Sequence, residues 1–371
     1  MFVEERLLQL VKCGGLNASV VAPVPWFPAS FGFFGRYARF AKVAKSETRH
    51  GVSVAYPRYL VIPKIGMTVA PWLLAMSQFG RFRRLRQQSP EPFVIDAHYL
   101  YPDGVAASLL GRWLGLPVVL TARGSDVNVF TKFAAPKAMI RSALKHCERV
   151  ITVSEALRAK LLELDVPPDR VVTLRNGVDL ERFRPSADRE GLRKSLGFSG
   201  TTLLCVGNLV ELKGHALAIE AVASLPDVDL VIIGEGPLET RLCALIDDLG
   251  IGDRVRLLGN RPQSELADYY CAADALLLPS SREGMPNVVL ESLACGTPVL
   301  ATGVGGVPEI VNSPAAGVII EERSGPGIVV AVRSLMASYP DRSATRSCAE
   351  ELGWAPTVRG LLDVFREAAR A

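Results

Sequence analysis

The chain predicts an α/β fold: two doubly wound parallel-sheet domains in tandem. Three observations predict it. A length of 371 residues leaves room for two domains. Hydrophobic residues make up 49% and charged residues 22%, which supplies two apolar cores and excludes a disordered chain. From Val94 onward, short apolar runs alternate with helical stretches of about 10 to 15 residues, the pattern of βαβ units.

Before that rhythm, residues 2–13 read as a helix and 17–23 as a strand. Within it, 93–97, 118–122, 150–153 and 171–174 read as strands, and 104–114, 136–146 and 155–164 as helices. Residues 178–200 interrupt the series with a charged helical stretch at 188–194 and a turn at 197–200, and they read as a linker. A second series follows. Its strands are 202–207, 229–234, 255–259, 275–279, 298–302 and 317–320; its helices are 214–224, 238–249, 266–273 and 286–296. The expected domains are therefore 1–177 and 201–353. A last helix at about 354–371, with Val358, Leu361, Leu362 and Phe365 at helical spacing, packs back on the first. Tandem domains of this kind place a ligand cleft where their strand C-termini face each other.

Residues 1–9 carry Glu4, Glu5 and Arg6 where a secretory leader has its apolar core, so no leader is predicted. The uncharged stretch 65–79 is shorter than the roughly 18 to 20 apolar residues of a membrane span and contains Pro71. The seven cysteines (Cys13, Cys147, Cys205, Cys243, Cys271, Cys295, Cys348) form no C-x-x-C and read as reduced thiols of a cytoplasmic protein. Thirteen Lys/Arg against three acids give residues 1–90 a charge of +10, and the total of +4 leaves −6 for the rest. That basic segment is interleaved with Phe31, Phe33, Phe34, Tyr37, Phe40, Trp72 and Phe82. It fits either an anionic membrane surface or a solvated basic face with its aromatics in the core. No helix-turn-helix, RRM or zinc-finger pattern accompanies the charge, so nucleic acid is not an expected partner.

The chemistry concentrates in Pro279-Ser280-Ser281-Arg282-Glu283-Gly284-Met285-Pro286-Asn287 and the helix after it. A buried strand ends at Pro279, Gly284 turns the chain, and Pro286 suits the first helical position. The free N–H groups of that helix start form an anion site. Glu283 lies in the loop, and Glu291 lies four residues after Asn287 on the same helix face. Two carboxylates flanking a phosphate-binding helix start suit a sugar nucleotide, whose hydroxyls donate and whose phosphates accept.

Glu283 and Glu291 with seven residues between them, Ala294-Cys295-Gly296-Thr297-Pro298-Val299 and Gly305-Gly306-Val307-Pro308-Glu309 together resemble the retaining family 4 glycosyltransferases of the GT-B fold. Asn176-Gly177-Val178-Asp179 with Phe183, Lys213-Gly214 and Gly234-Glu235-Gly236-Pro237 extend the resemblance over nearly the whole chain. The opening Phe2-Val3-Glu4-Glu5 and Pro23-Val24-Pro25-Trp26-Phe27-Pro28 resemble the branch with teichuronic-acid and exopolysaccharide enzymes.

The resemblance implies two Rossmann-like domains facing a central cleft, and a role for each matching residue. Glu283 would contact hydroxyls of the donor sugar, and Glu291 the ribose. Backbone N–H groups of Gly284, Met285, Pro286-flanking residues and Asn287 would hold sugar or phosphate oxygens. Lys213, beside Gly207 and Asn208, would neutralise the diphosphate; Asn260 and Arg261 would lie near the base. Asp126 and His98 would face the acceptor or donor sugar. The family usually has Arg at the place of Asn208, so Lys213 acts alone or with Arg282 or Arg175. Many relatives carry His in the segment matching 121–126, where this chain has Arg123. Relatives also begin with an apolar strand and a glycine-rich loop, so the first strand of the N-terminal domain is expected to be missing here.

Asp227-Val228-Asp229 resembles a metal-binding D-x-D but follows Pro226 and reads as a turn; no metal and no cofactor are expected. Gly303-Val304-Gly305-Gly306 lacks the third glycine of a dinucleotide fingerprint and reads as a loop near the donor. The implied reaction moves a hexosyl group from a UDP- or GDP-sugar to a glycan or lipid-linked acceptor, with retention, at the cytoplasmic face of the membrane. The alternatives are a sugar-nucleotide epimerase of the same architecture and a truncated or inactive nucleotide-sugar-binding protein.

Overall fold

The computed structural model describes residues 2–13, 16–26, 40, 42–61, 66–89, 91 and 93–370. The aromatics Phe31, Phe33, Phe34 and Tyr37, and Phe27-Pro28 of the opening motif, lie outside the described residues. The chain divides into two compact units, Met1–Leu174 with Thr357–Ala371, and Arg175–Pro356.

In the first unit the helix Phe2–Lys12 precedes β1 (Ser19–Val21), β2 (Val24–Trp26), β3 (Ser46–Arg49), β4 (Val52–Ala55) and β5 (Arg58–Leu60). β1 pairs parallel with β4, β4 antiparallel with β3, and β2 parallel with β5. After the helix Gly66–Gln88 come β6 (Ile95–His98), β7 (Val118–Ala122), β8 (Arg149–Thr152) and β9 (Val171–Thr173), parallel in that order. Every residue of β7 is buried, as expected of a parallel strand covered on both faces by helices. β1 and β6 are both edge strands of their sheets among the described residues.

The apolar stretch 65–79 is the first half of Gly66–Gln88, which continues through four arginines. Pro71, Leu74 and Ala75 are buried, so one face of the apolar run serves the core, while Trp72 and Met76 on another face are exposed. Among the described residues no helix is long and apolar enough to cross a membrane.

The second unit holds β10 (Thr201–Val206), β11 (Val228–Ile233), β12 (Val255–Leu257), β13 (Ala275–Leu278), β14 (Val299–Thr302) and β15 (Gly317–Ile320). They form one all-parallel sheet in the order β12-β11-β10-β13-β14-β15. Leu203, Leu204, Leu230 and Leu276 have no exposed surface, and each truncation to alanine there costs about 2–5 kcal/mol. The chain runs outward from β10 to β12, then returns to add β13 on the other side. That reversal leaves a crevice beyond the C-terminal ends of β10 and β13, where ligands of doubly wound sheets bind.

Residues 178–200 are built into this unit instead of linking two bodies. The helix Arg189–Leu196 is capped by the Asp188 carboxylate, which accepts from the Gly191 N–H at 2.8 Å. Arg189 and Arg193 both reach Asp274, at 2.6 and 3.0 Å, so these two of its four charges face the unit while Glu190 and Lys194 are exposed. The last helix, Trp354–Arg370, starts in the second unit and has its body in the first. There Val358 and Leu361 are buried, Gly360 lies against Leu174, and Arg149 pairs with Glu367 at 3.0 Å.

Candidate active site

The loops after β10 and β13 meet at the point where the strand order reverses. The first runs through Gly207 and Asn208 to the short turn Glu211–Lys213, closed by Gly214 at φ +71°. The second runs from Pro279 to Pro286. Lys213 Nζ donates to Glu283 Oε1 at 2.6 Å, with the side chains 20% and 11% exposed. Backbone contacts fix both loops. The Ser281 N–H donates to Leu212 O at 2.8 Å, and Arg323 Nε donates to Pro279 O at 2.9 Å while its Nη2 reaches Glu211 O at 3.4 Å.

Two glycines permit this closeness. A Cβ on Gly234, at φ +151°, would lie 1.9 Å from Gly207 O, so the ends of β10 and β11 approach only because that residue has no side chain. A Cβ on Gly305, at φ +59°, would lie 2.1 Å from Glu283 O, and the next N–H, of Gly306, donates to Gly284 O at 2.7 Å. The loop read as lying near the donor therefore holds Glu283 from behind. Gly305→Ala should destabilise the protein by about 1–3 kcal/mol, through backbone strain and displacement of that carbonyl. A chemical melt checks this, and an unchanged midpoint would contradict it.

Pro286 occupies the cap position, and the helix proper is Asn287–Ala294. Its start is held by Asn176, whose amide donates to Met285 O at 3.2 Å and Asn287 Oδ1 at 2.8 Å. Glu291 is nearly buried and accepts from Tyr270 OH at 2.8 Å. Burial raises its pKa, an effect opposed by the hydrogen bonds from Tyr270 and Gln263. Asn260 and Arg261 follow β12; Asn260 is exposed, and Arg261 Nε is buried without a hydrogen-bond partner among the described residues. Arg175 is paired with Glu309 at 3.0 Å, and Arg282 is half-buried in the Glu283 loop. Asn208 is exposed, and its carbonyl meets His215 Nε2 at 3.2 Å.

In the first unit His98 and Asp126 lie at the ends of β6 and after β7. Asp126 has no exposed surface. Its carboxylate accepts from the N–H groups of Leu100 (2.9 Å), Arg123 (3.1 Å) and Gly124 (2.7 Å), so it ties two loops together. His98 sits among charges that sequence reasoning missed. Arg123 Nη2 donates to its Nδ1 at 2.8 Å, which leaves the proton on Nε2, 3.4 Å from Asp96 Oδ2. Arg6, buried on the first helix, pairs with Asp96 at 3.1 Å and donates to Thr121 Oγ1 at 3.1 Å. Asp96 had a signal, since two residues apart on a strand share a face; Arg6, 92 positions away from His98, had none.

Burial alone would raise the Asp96 pKa, but Arg6 and His98 hold it well below the usual carboxylate range. Burial, together with Arg6 and Arg123, pushes His98 down to about 4 against the pull of Asp96. An unfolded histidine takes its proton near 6.5. Between those values the unfolded chain binds the extra proton, so His98 stabilises the fold above about pH 6.5 and that stability is lost as pH falls toward 4. Denaturant midpoints at neutral and mildly acid pH should show this fall, and His98→Gln should lessen it. An equal slope in the variant would contradict the assignment.

Among the described residues no group of three or more His, Cys, Asp or Glu could hold a metal ion. Asp229 belongs to β11, with Asp227 just before it.

Two family models match the chain: glycosyltransferase family 4 over residues 23–182, and glycosyl transferases group 1 over 188–351. A Bacillus subtilis (strain 168) protein named as a teichuronic acid biosynthesis glycosyltransferase, TuaC, is 33% identical over 317 residues, 84% of this chain and 78% of its own. The chain belongs to glycosyltransferase family 4. A D-inositol 3-phosphate glycosyltransferase of Catenulispora acidiphila is 32% identical over 318 residues, 78% of this glycosyltransferase and 76% of its own length. Among solved structures, Anabaena Alr3699/HepE in complex with UDP superposes with a TM-score of 0.74 at 16% identity, covering 94% of this chain and 100% of that one. The same protein in complex with UDP-glucose gives 0.70 at 18% identity, covering 85% and 86%. The fold is GT-B, as the motifs implied.

Proposed function

We propose that this glycosyltransferase moves a hexosyl group from a UDP- or GDP-sugar to a hydroxyl of a glycan or lipid-linked acceptor, with retention at the anomeric carbon. The observation that carries the reading is the Lys213–Glu283 pair at the strand-order reversal, beside the start of helix Asn287–Ala294. A structural neighbour bound to UDP and to UDP-glucose supports a nucleotide-sugar donor.

In this reading the diphosphate takes the Lys213 ammonium and the backbone N–H groups of Gly284, Met285 and Asn287, with Gly207 leaving room for its approach. Glu283 accepts from sugar hydroxyls, Glu291 from the ribose, and Asn260 and Arg261 border the base. Asn208 and Arg282 flank the phosphates. The acceptor oxygen attacks the anomeric carbon on the face that the diphosphate leaves. The C–O bond to the β-phosphate breaks with its electron pair on the diphosphate, and a phosphate oxygen takes the acceptor proton. Catalysis is then positioning and charge stabilisation, with no metal and no covalent sugar–enzyme intermediate. His98 and Asp126 shape the acceptor side: His98 as a neutral hydrogen-bonding group, Asp126 by holding the Arg123–Gly124 turn. The place of action is the cytoplasm, at the inner membrane face where lipid-linked acceptors lie.

Incubation with UDP- and GDP-hexoses, with and without acceptor, tests this. Transfer with the donor's anomeric configuration kept supports it. Release of an epimerised sugar without acceptor would instead favour the epimerase reading.

Tyr270 gives a more specific expectation. Its hydroxyl holds one oxygen of Glu291, so Tyr270→Phe should raise the donor KM by roughly 5- to 10-fold, the worth of one ordinary hydrogen bond acting through Glu291, with little change in kcat. It should also narrow the preference for ribose over 2′-deoxyribose donors. Unchanged discrimination would remove Glu291 from the ribose.

A further inference from the structure

We infer that one face of the first unit, formed by helices Gly66–Gln88 and Val105–Leu114, is a docking surface for an anionic lipid bilayer. This deepens the lipid-linked acceptor reading but stands on separate observations.

Trp72, Met76, Phe79, Arg83 and Arg86 recur at helical spacing and form one stripe along the longer helix. Its outer residues face water: Trp72 is 47% exposed and Met76 66%. Trp113, 40% exposed, adds a third large apolar group from the shorter helix, its ring 6.0 Å from those of both Trp72 and Phe79. An exposed cluster of this size marks an interaction site.

Charge decides the partner. The two helices carry five arginines, Arg81, Arg83, Arg84, Arg86 and Arg112, and no aspartate or glutamate. Three of the five stand with the aromatic rings, Arg83 and Arg86 on the same helix stripe and Arg112 beside Trp113, and rings flanked by such cations match the headgroup level of an anionic leaflet, where indoles settle and each arginine finds phosphate. Arg83, Arg86 and Gln87 line a cavity of about 400 Å³ whose other walls are Phe79, Trp113 and Leu114. Its polar rim fits a phosphodiester and its apolar wall the first methylenes of an acyl chain. Arg86, donating to Leu114 O, is fixed at the rim, while Arg83 is exposed.

The test is co-sedimentation of the full chain with vesicles of phosphatidylcholine alone or mixed with phosphatidylglycerol. Binding should require phosphatidylglycerol and weaken as salt rises. Arg83→Gln/Arg112→Gln, both exposed beside the aromatic cluster, should lower vesicle affinity by about fivefold per arginine removed. Trp72→Ser should weaken binding further and remove part of the fluorescence shift on binding. Transfer to a soluble acceptor should stay near wild type in these variants, so loss of vesicle binding and loss of the transferase reading are separate results. Equal binding to both vesicle types, wild-type binding by the double variant, or displacement by inorganic phosphate at constant ionic strength would overturn the assignment. So would self-association of the chain that the Trp72→Ser change abolishes without any effect on vesicles.

Discussion

Lys213→Met is expected to lower the rate of glycosyl transfer by about 10²- to 10³-fold, the range for removing one group that stabilises charge in a transition state. Methionine keeps most of the stem and removes the charge. The half-buried ammonium is 2.6 Å from Glu283, at the end of the central strand β10. On departure of the nucleoside diphosphate, negative charge grows where that ammonium sits in the proposed complex. The loss should appear in kcat and in nucleotide affinity together, because ground and transition states both carry the diphosphate. A side cost is stability: Glu283, 11% exposed, is left without its cation, worth about 1–3 kcal/mol. A melt beside the kinetic measurement separates the two effects. Wild-type turnover in a folded Lys213→Met protein would exclude Lys213 from the chemistry.

Glu283→Gln should reduce turnover on a similar scale, about 10²-fold or more, with the opposite effect on nucleotide binding. In the free enzyme the carboxylate neutralises Lys213, so diphosphate must compete with Glu283 for the same ammonium. An uncharged glutamine frees the lysine, and affinity for the bare nucleoside diphosphate should hold or rise by a few-fold. Affinity for the complete sugar nucleotide should fall, because the strong acceptor for the sugar hydroxyls is gone. If UDP or GDP binding collapsed in the variant as it does in Lys213→Met, Glu283 would belong to the phosphate site and not to the sugar.

The C-terminal unit was the more legible in the sequence, for a physical reason. Its candidate-site loops sit at the ends of buried strands, where glycines and prolines mark each turn and apolar runs mark each strand. Glu283 could be placed by such local signals, and Lys213, Gly234 and Gly305 through the motifs that carry the family resemblance. Asn176 stood in a recognisable motif, yet its amide bonds to Met285 and Asn287 cross more than a hundred positions. Arg323 bracing the loops after β10 and β13, and Arg6 beneath His98, likewise depend on long-range packing that no local pattern records. The segment 178–200 read as a linker because its charges looked solvated, but two of them, Arg189 and Arg193, converge on Asp274. The helix Gly66–Gln88 was obscured by Pro71 and by an abrupt change along its length from apolar to basic sequence.

Calorimetric titration of UDP and GDP into the wild-type protein and Lys213→Met tests the central claim, that a donor diphosphate binds between the β10 and β13 loops. One nucleotide should bind the wild-type chain, and its affinity should drop at least tenfold in the variant, as expected for a lost charge-assisted hydrogen bond of about 1.5–3 kcal/mol. Failure of the folded wild-type chain to bind either nucleotide, or equal binding by the two proteins, would contradict it.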